Sequence, residues 1–275
     1  MKKLFCFIYK RKRTIFHAIA TGLGLLLSIH LLKDYGNEKF IITIVATSLI
    51  LFLEIYLNWR FATKVLRQID MPSINVYNLW GHLINHITLP LLLFYSVAGF
   101  IYFNSDDLVR IISILFLIVI NLIFFINVRS YYSDKFKMEE KTRYIYDVIK
   151  LIIFFFSINL ILHIRMIFQI NSWIIGVFVC FISLILYILI IYRKIQVNIN
   201  TITYVIVVSF VISVLYMILD ITGYFFLGIN IVIFLLFYIF LSILHHKLER
   251  TLTVKVFTEY LLILILALLL FGGLF

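Results

Sequence analysis

The sequence predicts an all-α fold, a polytopic transmembrane helical bundle of about nine spans, and three observations lead there. Hydrophobic residues make up 64% of the chain and charged residues only 13%, against about 45–50% apolar residues in an ordinary soluble domain. A soluble core cannot absorb that excess. A bilayer can, because lipid-facing side chains need no polar cover and a helix satisfies its own backbone. The apolar residues also collect in stretches of roughly 20, the length a hydrocarbon core of about 30 Å demands at about 1.5 Å per residue. Lysine and arginine then recur on alternate connections, as positive-inside topology requires.

The stretches are 14–32, 40–58, 81–103, 108–128, 148–169, 173–192, 202–220, 225–245 and 257–275. They form one membrane-embedded helical domain behind a basic leader, residues 1–13. The first run is about 19 residues long with no small-x-small site after it, so it reads as a retained anchor rather than a cleaved signal peptide. The second carries a carboxylate, Glu54, near its end. Pro90 in the third removes one helical hydrogen bond and predicts a kink that opens space beside His82 and His86. The fourth and fifth hold Asn121 and Asn159 near their middles, and the sixth holds Cys180. With Cys6 in the leader, the two cysteines imply no disulfide framework. Gly223 and Gly228 suggest a tight turn between the seventh and eighth spans; without it the count changes. Glu259 opens the ninth, and Asp147 opens the fifth with Lys150 one turn on, within pairing reach. Trp59, Trp80 and Trp173 all fall at span boundaries, where an interfacial belt places them.

Orientation follows from the basic residues. With the N-terminus cytoplasmic, twenty of the 24 lysines and arginines lie on the cytoplasmic side, leaving Lys33, Lys39, Arg110 and Arg165 opposite. The net charge of +11 is therefore a topology signal for a bacterial-type inner (plasma) membrane, C-terminus external. Attraction to anionic lipid accompanies it, and nothing in it resembles a nucleic-acid-binding motif. Short external connections (33–39, 104–107, 170–172) alternate with longer basic ones (59–80, 129–147). Topology alone produces that alternation, as does internal duplication in many transporters.

Polar residues at membrane depth are costly and so informative. His17, Glu54, His82 and His86 fall within roughly 2–8 Å of one interface, at about 1.5 Å per residue, and are expected to share a layer. His82 and His86, spaced i and i+4, lie on one helix face and with a carboxylate resemble a divalent-metal ligand set. The other reading is a hydrogen-bonded polar layer, since no H-E-x-x-H pattern is present. Asn121 and Asn159 suit either a substrate or water path or an interhelical hydrogen bond. Toward the outer face lie His30, Asp106, Asp107, Arg110, His163, Arg165 and Asp220. His163 and Arg165 are close enough to the boundary to snorkel outward, the alternative being a proton relay.

After the second span the chain reads Asn58-Trp59-Arg60-Phe61-Ala62-Thr63-Lys64-Val65-Leu66-Arg67-Gln68-Ile69-Asp70-Met71-Pro72. In position, and in the count of spans, this resembles the UbiA-type intramembrane prenyltransferase superfamily, whose loop there reads roughly N-D-x-x-D-x-x-x-D and runs on to R-P. The resemblance implies a site for a polyprenyl diphosphate held through magnesium. Ala62 and Leu66 stand where aspartates belong, Arg193-Lys194-Ile195-Gln196 supplies no second motif, and apolar side chains do not hold magnesium. The resemblance therefore implies a diverged member without that chemistry.

Three function classes stay open. One is a non-catalytic bundle that binds membrane lipid or another hydrophobic lipid ligand. The second is a lipid-modifying transferase, for which the one acidic cluster is Asp134 with Glu139-Glu140, more simply a solvated loop. The third is a transporter of small solutes or ions, which would want mid-span charges or matching broken helices.

Overall fold

A computed structural model describes residues 2–67, 76–133, 140–191, 199–221, 226–249 and 251–272. Among them the chain forms nine α-helices and no strand: α1 (Lys2–Tyr35), α2 (Asn37–Arg67), α3 (Val76–Phe103), α4 (Asp107–Ser133), α5 (Glu140–Phe168), α6 (Ser172–Ile191), α7 (Ile199–Ile221), α8 (Phe226–Glu249) and α9 (Val254–Gly272). Eight of these are long and apolar enough to cross a membrane, α1 to α8. Asp70, Pro72, Asp134, Glu139, the stretch Arg193–Gln196 and Gly223 lie outside the described residues, as do the side chains of Cys6, Trp80, His82 and Glu140.

Helix ends differ from the sequence reading in ways that local chemistry explains. The basic leader is not a separate arm, because α1 begins at Lys2. The connection expected over 33–39 shrinks to Gly36, whose φ of 81° suits a residue without Cβ. Before α4, Asp106 Oδ1 accepts the backbone N–H groups of Leu108 at 2.8 Å and Val109 at 3.4 Å, an N-cap that satisfies two otherwise unpaired donors. Gly228 stands inside the first turn of α8 rather than in the turn assigned to it.

The chain divides into two compact units, Met1–Ile153 and Phe154–Phe275, with the boundary inside α5. In the first, α1 packs against α2 and α4, and α3 packs against the same two helices. Glycines permit the close approach: a Cβ at Gly22 would overlap the Ile118 side chain of α4, and one at Gly24 would overlap Thr47 of α2. Small residues at helix contacts are how membrane helices gain packing where lipid removes the hydrophobic drive.

The polarity of these helices is inverted relative to a soluble bundle. Helix α2 buries Thr47, Ser48, Glu54 and Asn58 with Leu51, while Ile41, Ile42, Val45, Leu49 and Phe52 are exposed. Helix α7 does the same, burying Thr201, Ser209, Ser213, Tyr216 and Asp220 and exposing Ile202, Ile206, Val207 and Phe210. A surface of large apolar side chains suits a hydrocarbon solvent and would aggregate in water. The molecule is an integral membrane protein.

In the second unit α6 packs on α7, α7 on α8 and α8 on α9. Ser213 Oγ donates to the Gly176 carbonyl at 2.7 Å, drawing α7 close to α6. The fully buried Tyr187 donates its hydroxyl to the Phe237 carbonyl at 3.1 Å. The Phe237 ring in turn stacks on Phe154 at 4.0 Å between centroids. Asn159 Nδ2 turns back to its own helix, onto the Phe155 carbonyl at 2.9 Å. Arg165 does not snorkel free of the protein: its guanidinium pairs with Asp220 of α7.

Candidate functional site

The polar residues of the first unit gather around Glu54, whose side chain is completely buried. Helix α1 brings Arg13, Thr14 and His17, α2 brings Glu54 and Asn58, and α4 brings Arg129. The spacings explain why three helices converge. Thr14 and His17 are three apart and Glu54 and Asn58 four apart, so each pair occupies one helix face.

Glu54 Oε1 accepts from Thr14 Oγ1 at 3.2 Å, Asn58 Nδ2 at 3.1 Å and Arg129 Nη2 at 3.0 Å. Oε2 meets His17 Nδ1 at 2.5 Å and Arg13 Nε at 3.5 Å. An ionised carboxylate can only accept, so Nδ1 of His17 is the protonated ring nitrogen there. Arg129 also donates Nε to Asn58 Oδ1 at 2.8 Å, so one guanidinium bridges a carboxylate and an amide that sit one turn apart. Asn58 closes the ring by donating Nδ2 to the Glu54 carbonyl at 2.9 Å.

His86 belongs to a neighbouring arrangement. Its Nε2 is 2.9 Å from the Tyr146 hydroxyl of α5, and Phe124 of α4 stands edge-on to its ring at 6.3 Å between centroids. One turn further on α5, the buried Lys150 reaches Asp147 at 3.3 Å, the pairing their spacing predicted. Between His86 and the Glu54 network lies a crevice lined by Ile55, Asn58, Trp59, His86, Ile87, Phe125 and Val128, with room for about one water-sized molecule. This is open space beside His86, one turn before Pro90, where a missing backbone N–H leaves the His86 carbonyl without its helical donor.

Of the four residues expected to share a layer, three have described side chains. His17 and Glu54 are in direct contact; His86 is bonded to Tyr146; His82 stands one turn before His86, its side chain outside the described residues. Among the described residues no three of His, Cys, Asp or Glu stand close enough together to hold a metal ion. What sequence reasoning missed is the cationic half of the site. Arg13 and Arg129 were counted as loop charges that set topology, yet both end on Glu54. The signal was available, since a carboxylate at membrane depth needs a partner and both arginines flank spans at the same end.

No family model, curated protein or solved structure matches the chain. The site is read from its own geometry.

Proposed function

We propose that the basic end of the first unit binds the phosphate-bearing headgroup of a membrane lipid, and that the protein is a lipid-handling helical bundle. The observation that supports this is the charge balance at Glu54. One carboxylate faces two guanidinium groups and an imidazole, so cations exceed anions in a place where uncompensated charge is costly. Guanidinium forks match phosphate oxygens two at a time. Arg129 and Arg13 keep 21% and 43% of their side chains exposed, leaving N–H groups to meet a headgroup. The lipid's chain would lie along the apolar outer wall beside the site, where Phe16, Phe52, Leu53 and Tyr56 are exposed.

Asn58 is the residue shared by this site and by the stretch that resembles the UbiA-type superfamily. On that kinship the ligand is a polyprenyl phosphate or diphosphate, held by Arg129 and Arg13 directly and not through carboxylate-bound magnesium. A positive-inside arrangement of the basic flanks would put the site at the cytoplasmic leaflet.

Native mass spectrometry with lipid extraction on detergent-purified protein tests the reading. Wild type should retain a phosphate-bearing lipid in fixed stoichiometry, Arg129→Gln should lose it, and Arg60→Gln, which removes an equal charge from an exposed position, should keep it. Equal losses in the two variants, or only bulk phospholipid in all three proteins, would overturn the proposal.

A further inference from the structure

The second unit buries its own carboxylate. Asp220, next to the last residue of α7, has a side chain only 1% exposed and pairs through Oδ1 with Nη1 of Arg165 from α5. Its other oxygen, Oδ2, has no hydrogen-bond partner among the described residues. The same holds for Arg165 Nε, the Tyr216 hydroxyl, Ser209 Oγ and Asn230 Oδ1, all buried. Native proteins leave few such atoms, because an unmet polar group in a protein interior is costly. These call for a reason.

Their arrangement supplies one. Positions 209, 213, 216 and 220 follow i, i+4, i+7 and i+11, one face of α7. Ser213 is committed to the Gly176 carbonyl; each of the other three carries one unmet oxygen. From Ser209 to Asp220 is roughly 16 Å of helix at about 1.5 Å per residue, about half a hydrocarbon core. Asn230, in the second turn of α8, has a buried oxygen that is likewise unmet. Polar atoms arranged this way suit hydrogen-bonded water, and ionisable residues inside spans mark ion and proton pathways.

Arg165 is suited to leave. It stands three residues before the end of α5 and is 31% exposed. Its further contact, Nη2 to Ser172 Oγ, is a long 3.4 Å. Long cationic side chains at a span end reach the interface readily.

We propose that Asp220 is a proton-exchange site, bound alternately by Arg165 and by a proton that travels along the polar stripe of α7. In the state seen here Arg165 pairs with the carboxylate. When the guanidinium swings to the interface, carrying its charge with it, hydronium from the aqueous phase at that end of α7 gives its proton to Asp220, and the carboxylate becomes the neutral acid from which the stripe leads inward. Return of Arg165 expels the proton. The groups that bear on Asp220 are Arg165 from α5 and Tyr216 on α7, while His163 of α5 turns to the Asn159 carbonyl of its own helix. Helix α6 offers Ser172 and no charged residue, and the charged residues of α8 stand at its far end. None of the residues around Glu54 takes part, so this site and the lipid site stand or fall separately.

A hydrophobic carbodiimide, which adds to protonated carboxyl groups in apolar surroundings, reads the site directly. Purified protein in micelles is treated with dicyclohexylcarbodiimide between pH 5 and 8, and the adduct on Asp220 is quantified by peptide mass mapping. Asp220 of wild type should be labelled increasingly as pH falls. Arg165→Gln should label about tenfold faster at neutral pH, because the guanidinium that occupies the carboxylate is gone. Arg165→Lys should stay near wild type, which separates charge from folding. Labelling of Asp220 that is absent at every pH in wild type and in Arg165→Gln, or that is indifferent to both pH and the Arg165 charge, would overturn the proposal.

Discussion

Glu54 meets five side chains, and replacing it by glutamine keeps its shape while removing the charge that holds Arg13 and Arg129. Breaking a buried ion pair from one side costs about 3–5 kcal/mol. The exposure of the two arginines, 43% and 21%, lets water take part of the load, so Glu54→Gln should lose about 3 kcal/mol. Thr14→Val, which deletes a 3.2 Å contact, should lose about 1 kcal/mol. Thermal unfolding in detergent measures both, and a Glu54→Gln protein as stable as wild type would show that the carboxylate does not lock the three helices. At this scale the sequence was half legible. Depth along each span placed His17 and Glu54 together because both distances count from the same interface. The hydroxyl that took His86, on Tyr146, was invisible to that reasoning, since a tyrosine near a span end reads as an interfacial anchor. The same habit of reading Arg165 as an outward-reaching cation concealed its pairing with Asp220.

The helices themselves were legible almost entirely, because a run of apolar residues long enough to span is a strong signal when the backbone has no other way to satisfy itself in lipid. Their ends were not. Helices α1 and α2 run past their apolar cores into basic segments, and a single glycine at positive φ replaces a seven-residue connection. Nor could the sequence show which of its glycines are contacts. Gly22 and Gly24 are two apart and so face different neighbours, α4 and α2, while Gly228 has open space. Leucine at position 22 or 24 should therefore force α1 away from one partner and cost about 1–3 kcal/mol by overpacking. Gly228→Ala should cost nothing and gain some helix propensity. Unfolding temperatures of the three variants decide this, and a harmless Gly24→Leu would mean that the α1–α2 contact is loose.

At the scale of the whole molecule, the apolar exterior of α2 and α7 fixes the environment, and the basic residues imply a direction within it. On the positive-inside expectation that the basic connections are cytoplasmic, Asn171, between α5 and α6, would be outside and Thr251, between α8 and α9, inside. An impermeant maleimide applied to intact cells should label Asn171→Cys and spare Thr251→Cys until the membrane is opened, and a reporter fused at the C-terminus should be external if α9 crosses too, as the nine-span sequence reading expects. A cytoplasmic C-terminal signal would remove one crossing from the count. The placement of Glu54 also bears on how such a chain enters the bilayer during synthesis. Its α1 partners, Thr14 and His17, precede it by 40 and 37 residues, whereas Arg129 follows it by 75. The hairpin of α1 and α2 thus emerges from the ribosome with its acid already matched by an imidazole and Arg13, and can be released into lipid before α4 is made. Arg129 arrives later as a second clasp, so the insertion machinery never has to carry α2 as a bare anion.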